Sequence, residues 1–382
     1  MAQTIKAAIV GTGFIGPAHL EALRRIPNIE VTGLVEVNQE VADAKAKELG
    51  IPNAYTFENM LKDDSIDVVH ICTPNFLHFP QAKACLLSGK HVVCEKPLSI
   101  SVEEAEELVS LAKETGLINA VHFNLRYYPM VRQMKVMREK GELGDVYSVM
   151  GSYLQDWLIH KTDYSWRLDP KQSGGSRVVA DIGSHLLDMT EYVTGLKVTA
   201  VMADFSIVHP TRLKPLKAVE SFSGKKLDPS DYEEYEVTSE DYATIMLRFD
   251  NGRTGSIVVS QVNAGRKNRL NIEISGSKAN FEFNAEKPNE LWIGKRDTAN
   301  SILMKDPALV DEGARSLVSF PGGHQEGFPD TSKQLFKEVY AAIRQGKQPE
   351  SPTFPTFADG LRELIIGDAI VESDTKEAWV KI

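Results

Sequence analysis

The first third of the chain alternates short apolar runs with amphipathic stretches. The apolar runs cover residues 5–10, 30–35, 67–72, 91–94 and 117–123. Runs of this kind are typical of parallel strands that are covered on both faces. Helical periodicity lies between them, in the segments 18–26, 41–49, 57–61, 81–88 and 102–115. This alternation predicts a doubly wound α/β sheet, a Rossmann domain, that is complete near residue 123.

A glycine motif follows the first predicted strand directly. Gly11 would permit the tight turn, Gly13 would let a pyrophosphate approach the backbone, and Gly16 would let the helix pack closely on the strand. Phe14 and Ile15 lie between these glycines and complete the predicted cofactor contacts of the loop. Glycine clusters often mark only a turn, so the motif needs support from the next strand.

That support comes from the acidic residue at the end of the second strand. Glu36 lies twenty residues after Gly16, where a carboxylate would accept hydrogen bonds from ribose hydroxyls and repel a 2′-phosphate. The next three residues, 37–39, include no Arg or Lys. The sequence therefore predicts NAD as cofactor rather than NADP. The alternative for Glu36 is a solvated strand end.

Polar residues follow the third and fourth apolar runs, where a doubly wound sheet binds its ligands. Thr73, Pro74, Asn75 and His78 follow the third run, and Glu95, Lys96 and Pro97 follow the fourth. Burying a lysine is costly without a partner or ligand, so Lys96 is the first catalytic candidate. The alternative is an ion pair with Glu95. His78 fits a helix-start hydrogen-bonding residue better than a proton carrier.

From residue 146 the pattern changes to longer strands. Residues 242–249 alternate, Asn251 and Gly252 predict a type I′ turn into a strand at 256–262, and 271–275 and 280–284 continue the pattern. We expect an open, largely antiparallel sheet in an α+β domain. Helices would cover one face, and a homodimer or homotetramer would cover the other. The charged segment 210–241 is expected to be a solvated excursion, or an oligomer contact.

Asp181 and His185 are the chemically notable pair of this second part. Their four-residue spacing on a helix places them on one face, a turn apart. The spacing can hold a metal, but the sequence offers no third ligand at a suitable distance and no Cys/His cluster, so no metal site is predicted. Without further information, a core histidine bonded by an aspartate is an equal alternative.

Composition limits the classes of partner. A chain of 382 residues favours more than one domain, and we divide it at 1–123, 124–354 and 355–382, the last being a C-terminal helix and strand near the first domain. The net charge of −10 disfavours nucleic acid and anionic membranes. Cys72, Cys85 and Cys94 have no C-x-x-C spacing, and the apolar start is interrupted by glycines, so we expect a cytoplasmic protein.

Four motifs together resemble the Gfo/Idh/MocA family, which comprises glucose/fructose oxidoreductase and inositol dehydrogenase. They are the glycine loop, the segment 73–78, the segment 89–97 and the segment 123–126, and the resemblance extends from about Lys6 to Ile382. It implies an NAD-dependent oxidoreductase that moves a hydride between nicotinamide and a secondary hydroxyl carbon of a sugar or polyol. It also implies that Lys96, Asp181 and His185 are catalytic.

The segment before Asp181 departs from the family pattern, which often has three glycines. Here Gly174 and Gly175 are followed by Ser176 and Arg177, and Arg177 is a candidate specificity residue. This version, with the segments 153–158 and 166–167, is similar to the levoglucosan dehydrogenase branch, whose members oxidise C3 of a sugar or glycoside. Sugars favour aromatic faces edged by polar groups, so the candidates for substrate contacts are Gln155, Asp156, Trp157 and His324, together with Asn75, Arg126, Trp166 and Arg167. Arg126, Trp166 and Arg167 are also expected to contact the cofactor, and the alternative for the two arginines is an interdomain ion pair.

The implied chemistry is reversible alcohol oxidation. His185 would accept the hydroxyl proton, Asp181 would orient it or hold a substrate hydroxyl, and Lys96 would stabilise the developing alkoxide. Two other hypotheses remain open. One is a redox-neutral enzyme that cleaves glycosides through transient oxidation, and the other is a non-enzymatic dinucleotide sensor, which would have no need of the proton-handling set.

Overall fold

A computed structural model describes residues 4–216 and 229–382. The chain forms two compact units, the first comprising Met1–Tyr127 and Phe328–Leu364 and the second Tyr128–Gly327 and Ile365–Ile382. The predicted second domain, 124–354, differs from this division because residues 124–127 and 328–354 group with the first unit, and the predicted third segment, 355–382, is divided between the units after Leu364. Helical periodicity shows which face of such a segment is buried, but not which unit it packs on.

The strands come in two blocks along the chain, with a helical region between them. Within the described ranges they are β1 (Ile5–Val10), β2 (Ile29–Val35), β3 (Asn53–Tyr55), β4 (Val68–Ile71), β5 (His91–Cys94), β6 (Asn119–Val121), β7 (Val146–Leu154), β8 (Val198–Ser206), β9 (Thr211–Pro215), β10 (Tyr232–Glu236), β11 (Tyr242–Phe249), β12 (Thr254–Ser260), β13 (Arg269–Gly276), β14 (Asn280–Asn284), β15 (Glu290–Gly294), β16 (Ser301–Met304) and β17 (Val380–Lys381).

The α-helices separate the first strands and dominate the C-terminal part. In the same ranges they are α1 (Ile15–Arg24), α2 (Gln39–Leu49), α3 (Phe57–Leu61), α4 (His78–Leu87), α5 (Val102–Thr115), α6 (Pro129–Glu139), α7 (Pro170–Ser173), α8 (Ser184–Thr194), α9 (Glu312–Arg315), α10 (Phe328–Gln345) and α11 (Phe357–Lys376). The boundary between the units falls within α11.

The first unit is built on a six-stranded parallel sheet. Its strand order is β3-β2-β1-β4-β5-β6, which reverses between β1 and β4 and confirms the predicted doubly wound fold. Helix α5 has the predicted bounds, with Ser101 accepting from the Glu104 N–H at its start and Gly116 in the left-handed region at its end. Helix α1 begins three residues before the prediction, since Pro17 is tolerated in a first turn.

The second unit contains a nine-stranded mixed sheet, as predicted. Its order is β16-β15-β14-β13-β7-β12-β11-β8-β17, and β7 and β12 form its parallel pair. The buried helix α8 packs on β7 and β13. A Cβ atom at Gly151 of β7 would lie 3.1 Å from Leu186 Cδ1 of α8, so this glycine permits the close approach of helix and sheet.

The turn between β11 and β12 is not type I′. That type needs a positive φ at both central residues. Gly252 has a φ of +78°, whereas the described non-glycine residues with positive φ are Asn28 and Glu377, so Asn251 does not meet the requirement. The Phe249 N–H instead bonds to the Arg253 carbonyl around a longer loop. A dipeptide pattern alone could not distinguish these two turns.

The two described ends of the segment 210–241 form strands and are not a solvated loop. They pair as the antiparallel strands β9 and β10, with Thr211 opposite Glu236 and Pro215 opposite Tyr232. These strands form a small sheet separate from the nine-stranded one. Residues 217–228 lie outside the described part, so the prediction for the middle of the segment has no structural counterpart.

Two further expectations concern the whole chain. Among the helices that the structure describes, none combines the length and apolar character that a membrane span requires. Cys72, Cys85 and Cys94 are buried free thiols, as predicted. Burial raises the pKa of all three, that of Cys85 to about 12.

Candidate functional site

Each of the three glycines after β1 has a different structural role. Gly11 has a φ of +89°, and a Cβ atom there would lie 3.0 Å from the Cys72 carbonyl oxygen. A Cβ atom at Gly16 would lie 2.3 Å from the Gly11 carbonyl oxygen, so α1 could not pack on the turn. Gly13 differs, because a Cβ atom there would meet no protein atom within 4 Å. The fold requires glycine at 11 and 16, and the open space at 13 fits the close approach of a pyrophosphate.

The Glu36 carboxylate is held against this loop. Its Oε1 accepts from the N–H of Thr12 at 2.6 Å and from the Thr12 hydroxyl at 2.5 Å, and its Oε2 accepts from the Val37 N–H at 3.2 Å. A carboxylate has about four acceptor positions, so ribose hydroxyls can still bond to it. Phe14 is 66% exposed. Helix α1 begins at Ile15, and its first turn, all of which the structure describes, contains no acidic residue. These residues fit the diphosphate and ribose of a dinucleotide.

His78 connects the segments that follow β4 and β5. Its Nδ1 lies 2.7 Å from the Pro97 carbonyl oxygen and its Nε2 lies 2.8 Å from the Thr73 carbonyl oxygen. The ring is fully buried, and burial lowers its pKa. Both ring nitrogens of this first residue of α4 lie within hydrogen-bonding distance of backbone carbonyls, as expected for a helix-start hydrogen-bonding residue, and the expected cofactor contact by His78 stays a proposal. Pro74 and Asn75 lie between these anchors, where a short 3-10 helix begins at the buried Asn75.

Glu95 organises a buried cluster of histidines. His19 Nε2 lies 2.9 Å and His122 Nδ1 lies 2.6 Å from the same carboxylate oxygen, Glu95 Oε1. His19 Nδ1 lies 3.0 Å from His70 Nδ1, and His70 Nε2 lies 2.9 Å from the Tyr340 hydroxyl. All five side chains are buried. The Glu95 carboxylate bonds to this cluster, and its expected contact with the cofactor stays a proposal.

The hydrogen bonds of the cluster have one consistent direction. An ionised Glu95 only accepts, so His19 donates from Nε2–H and His122 from Nδ1–H. His19 Nδ1 then accepts from His70 Nδ1–H, and His70 Nε2 accepts from the Tyr340 hydroxyl. Every bond is satisfied when the three imidazoles are neutral and the carboxylate is charged.

The pKa shifts of His19 and His70 agree with neutral imidazoles at these two positions. Burial, together with the neighbouring His122, lowers the pKa of His19 to about 4, and burial holds the pKa of His70 well below its usual range. Burial alone would raise the pKa of Glu95, but the two bonded histidines outweigh it and hold that pKa well below the usual range. The first unit therefore contains a buried negative charge in the residue directly before Lys96.

The same cluster contains a metal-type trio that the sequence did not reveal. Within residues 4–216 and 229–382, the ligand atoms of His19, Glu95 and His122 lie within 4.8 Å of one another. Their nitrogens already donate to the carboxylate, and the other His122 nitrogen lies 3.0 Å from the Ser332 hydroxyl. Hydrogen bonds within the protein therefore satisfy the ligand atoms of this trio.

Lys96 and Arg126 are the cationic candidates of the first unit. Lys96 is half-buried, and its backbone N–H donates to Glu95 Oε2 at 3.2 Å. Arg126 Nη2 donates to Asp359 Oδ1 at 2.9 Å. Burial opposes ionisation of Asp359, but Arg126 and the bonds from Thr356 lower its pKa. Arg126 thus takes part in an ion pair within its own unit.

In the second unit, Asp181 and His185 lie on consecutive helical segments. Asp181 belongs to a π-helical turn, Val179–Gly183, and His185 lies in the first turn of α8. Both are buried. Asp181 Oδ1 lies 3.2 Å from Arg167 Nε, and Asp181 Oδ2 accepts from Gln261 Nε2 at 2.8 Å. The Arg167 guanidinium also lies over the Trp166 ring, 4.6 Å from its centroid.

The predicted substrate contacts of this unit have different surroundings. Gln155 is 1% exposed, its Oε1 accepts from Gln261 Nε2 at 3.2 Å, and its Nε2 donates to Asn268 Oδ1 at 2.8 Å. Both ends of its amide bond inside the protein, where Gln155 supports Gln261, and its expected substrate contact stays a proposal.

The remaining candidates are nearer to the surface. Asp156 bonds to Lys267 Nζ at 2.7 Å, and Trp157 beside it is half-buried. The His324 side chain is exposed, and its carbonyl accepts from the buried Lys305 ammonium at 2.7 Å. Lys305 and Glu326 form a buried ion pair that anchors this loop.

The sequence interpretation missed Gln261, His19 and His122. Each is an isolated polar residue in an otherwise ordinary element, with no motif or spacing that points to Asp181 or Glu95. Only the strand order places His19 and His122 against Glu95, and only the pairing of β12 beside β7 places the segment after β12 near residue 155.

Both parts of the chain match known protein families. Residues 5–123 match the oxidoreductase family with an NAD-binding Rossmann fold, and residues 131–282 match the GFO/IDH/MocA C-terminal domain. The chain is 31% identical to levoglucosan dehydrogenase of Pseudarthrobacter phenanthrenivorans, covering 100% of this chain and 98% of that protein. It is 27% identical to glucose-6-phosphate 3-dehydrogenase of Bacillus subtilis, covering 97% and 96%.

A solved structure agrees over the same length. Levoglucosan dehydrogenase in complex with NADH and levoglucosan has a TM-score of 0.87 and 30% identity, covering 100% of this chain and 99% of that chain. Two family models and a full-length relative above 30% identity thus point to the same assignment. The chain belongs to the Gfo/Idh/MocA family and is an NAD(P)-dependent oxidoreductase with an N-terminal NAD-binding Rossmann fold.

Proposed function

We propose that the protein oxidises a secondary hydroxyl of a sugar, anhydrosugar, glycoside or polyol, reversibly and with NAD. The observation that carries this proposal is the buried pair Asp181 and His185, with the Asp181 carboxylate held by Arg167 and Gln261. The names of the two relatives support the substrate class, and glucose-6-phosphate 3-dehydrogenase favours C3 of a pyranose as the reacting carbon.

The cofactor would be held by the residues around the glycine loop. Bound NAD supplies a hydride acceptor for a carbinol carbon. The backbone at Gly13 and the start of α1 would bind the diphosphate, and Glu36 would accept from the ribose hydroxyls. The carboxylate of Glu36 would repel a 2′-phosphate, which supports NAD over NADP. Thr73, Pro74 and Asn75 would line the cofactor at the end of β4.

Proton transfer and charge stabilisation are assigned to three residues. His185 is the proposed base, since imidazole is the side chain whose ordinary pKa lies near neutrality. Asp181 would orient the substrate hydroxyl or the imidazole. The Lys96 ammonium would donate a hydrogen bond to the reacting oxygen and stabilise its developing negative charge.

The proposed sugar contacts combine aromatic and polar side chains. Sugars favour aromatic faces that are edged by polar groups, and Trp157 with Asp156, Trp166 with Arg167, and His324 offer that combination. We assign Arg167 to substrate binding because it forms an ion pair with Asp181. Contacts of Arg126, Trp166 and Arg167 with the cofactor stay a proposal. The substrate class is tested by incubating the purified protein and NAD or NADP with levoglucosan, glucose, glucose 6-phosphate, myo-inositol and methyl glucosides, and recording reduced cofactor.

That screen also separates the redox-neutral alternative. A dehydrogenase accumulates NADH in proportion to substrate consumed. An enzyme that cleaves glycosides through transient oxidation would release the aglycone without net NADH. Family membership as an oxidoreductase argues against a sensor without catalytic activity.

A homo-oligomer through the open face of the nine-stranded sheet completes the proposal. One row across this face aligns through consecutive strand pairs and contains, in order, Met202, Met246, Ser256, Met150, Glu273, Glu282, Trp292 and Ile302. Met246 is 42% and Met150 is 49% exposed, which a second copy would cover. Light scattering should give a dimer or tetramer, and Met246→Glu with Met150→Glu should lower the mass. A monomeric native protein would contradict it.

The proposed location is the cytoplasm, which the three buried free thiols support. Cell fractionation with detection of the native protein tests this. Recovery in a secreted fraction would contradict it.

A further inference from the structure

Two buried arginines of the second unit share one carboxylate. Arg177 Nη2 and Arg212 Nη2 both donate to Asp241 Oδ1, the latter at 2.8 Å, and the three side chains are fully buried. Asp241 Oδ2 accepts from the N–H groups of Val208 and His209 at 2.8 and 3.1 Å. Burial opposes ionisation of Asp241, but the two guanidinium groups and these bonds lower its pKa. Asp241 ends the segment 210–241 and Arg212 lies near its start, so the charge cluster fixes the base of that segment.

Arg177 connects this cluster to Asp181 through one glutamine. Arg177 Nη1 donates to Gln261 Oε1 at 3.0 Å, and Gln261 Nε2 donates to Asp181 Oδ2 at 2.8 Å. A guanidinium has donors only, so the glutamine oxygen must face Arg177 and its amide N–H groups must face Asp181. The Asp181 carboxylate and the Gln155 oxygen, which both accept from the glutamine nitrogen, require this same orientation of the amide. Arg177 holds the amide oxygen and so completes the set of contacts that fixes the donor to Asp181.

The backbone before Asp181 is held from the same place. Glu240, the neighbour of Asp241, accepts through Oε1 from the Ser176 hydroxyl at 2.7 Å, the Arg177 N–H at 2.9 Å and the Val179 N–H at 3.0 Å. The Arg177 carbonyl in turn accepts from the Asp181 N–H at 2.8 Å. Side chain and backbone of Asp181 thus depend on the two acidic residues at the end of the segment 210–241.

We propose that Arg177 and Gln261 are positioning residues that present a fixed amide donor to Asp181, with the base of the segment 210–241 as their support. This inference rests on the proposed role of Asp181. It also accounts for the departure at Ser176 and Arg177 from the family's third glycine, because both residues bond to the acidic pair 240–241.

The direct test changes the donor and keeps the fold. Gln261→Glu is nearly isosteric and would still accept from Arg177, but it places a carboxylate oxygen where the amide nitrogen now faces Asp181. The matched control is Gln133→Glu. Gln133 is also 2% exposed and donates from Nε2 to an aspartate Oδ2, that of Asp311, at 2.8 Å.

The first readout needs no substrate. In protein labelled with carbon-13 at the aspartate carboxyl groups, the Asp181 resonance is identified by its loss in Asp181→Asn and is titrated with pH. A like charge within hydrogen-bonding distance disfavours ionisation, so Gln261→Glu should raise the Asp181 midpoint by about one pH unit or more. Gln133→Glu should leave that midpoint in place. Equal midpoints in Gln261→Glu and the native protein would overturn the inference.

The second readout is the pH profile of kcat/KM with levoglucosan and NAD, or with the best substrate of the screen. Arg177→Met should lower kcat about tenfold and move the acidic limb, because the amide oxygen of Gln261 loses the donor that holds it in place. Arg177→Lys should restore part of both changes, since an ammonium can still donate to Gln261. A merely structural role would lower the melting temperature in all these variants without moving the limb.

The proposed function and the positioning inference can be contradicted independently of each other. If Asp181→Asn retains native turnover, the proposed function is wrong at that residue. If Asp181→Asn abolishes turnover while Gln261→Glu and Arg177→Met keep the native midpoint and profile, only the positioning inference is wrong.

Discussion

His122 Nδ1 lies 2.6 Å from Glu95 Oε1, and the same oxygen is 2.9 Å from His19 Nε2. A carboxylate oxygen can accept from two imidazole N–H groups only while it is ionised, and burial is what lowers the pKa of His19 and favours its neutral form. The segment that ends at Lys96 is therefore anchored by an ionised residue inside the first unit, and its anchoring depends on pH.

The stability of the first unit should fall on mild acidification. The pKa of His19 is lowered from 6.5 to about 4 in the folded protein, and that of His70 is lowered as well, so the unfolded chain binds more protons between these values. Stability that is full above pH 6.5 is thus lost as pH falls toward 4. The depressed pKa of Glu95 adds a further loss below its unfolded value of 4.5.

The contribution of His19 can be isolated by difference. In His19→Gln, an amide still donates to Glu95, and the slope of unfolding free energy against pH between pH 6 and 5 should fall by about 1.4 kcal/mol per pH unit. The exposed His160 provides the control variant His160→Gln, which should keep the native slope. Urea unfolding at several pH values measures this slope in the native protein and in both variants. An unchanged slope in His19→Gln would contradict the assigned neutral network.

Two glycine variants should separate folding from cofactor binding. Gly13→Ala adds a methyl group that meets no protein atom within 4 Å, so the melting temperature without cofactor should stay near the native value. NAD affinity should fall about tenfold or more, since the methyl group occupies the space for the pyrophosphate. Gly16→Ala should destabilise the protein by about 1–3 kcal/mol through its clash with the Gly11 carbonyl. Calorimetry and thermal unfolding give the two quantities, and equal effects of both variants would count against the assignment.

Removing the carboxylate at residue 36 should weaken cofactor discrimination. Glu36→Ala loses the acceptor for the ribose hydroxyls and the charge that would repel a 2′-phosphate, so the ratio of kcat/KM for NAD over NADP should fall about tenfold or more. Glu40→Ala removes an exposed acid from the first turn of α2 and serves as the control. An equal ratio in Glu36→Ala and the native enzyme would disprove the role of Glu36.

Elements with strong local signals were predictable from the sequence. Helix Val102–Thr115 has a serine cap, an apolar stripe and a glycine end, and strand Ile5–Val10 is a continuous apolar run, so both bounds are as predicted. Strand Asn53–Tyr55 was missed because three residues carry no periodic signal. The strands at the ends of the segment 210–241 were missed because they are short and rich in charge.

The candidate site was predictable as residue types, and less so as contacts. The positions of Lys96, Asp181 and His185 follow from motifs in the chain. The partners of Glu95, His78 and Gln155 depend instead on which strands and loops become neighbours, which local sequence does not encode. Their polar character suggested ligand contacts, whereas the structure bonds each of them inside the protein. The π-helical turn at Asp181 likewise has no pattern of its own.

The central claim is that Lys96 and His185 carry the chemistry on a sugar hydroxyl while the Rossmann unit binds NAD. It is tested most directly by measuring NADH formation and NAD affinity together in the native protein, Lys96→Met and His185→Ala. The account predicts that both variants bind NAD within about threefold of the native affinity and lose at least about a hundredfold in kcat. Near-native turnover in either variant, or no measurable NAD binding by the native protein, would contradict it.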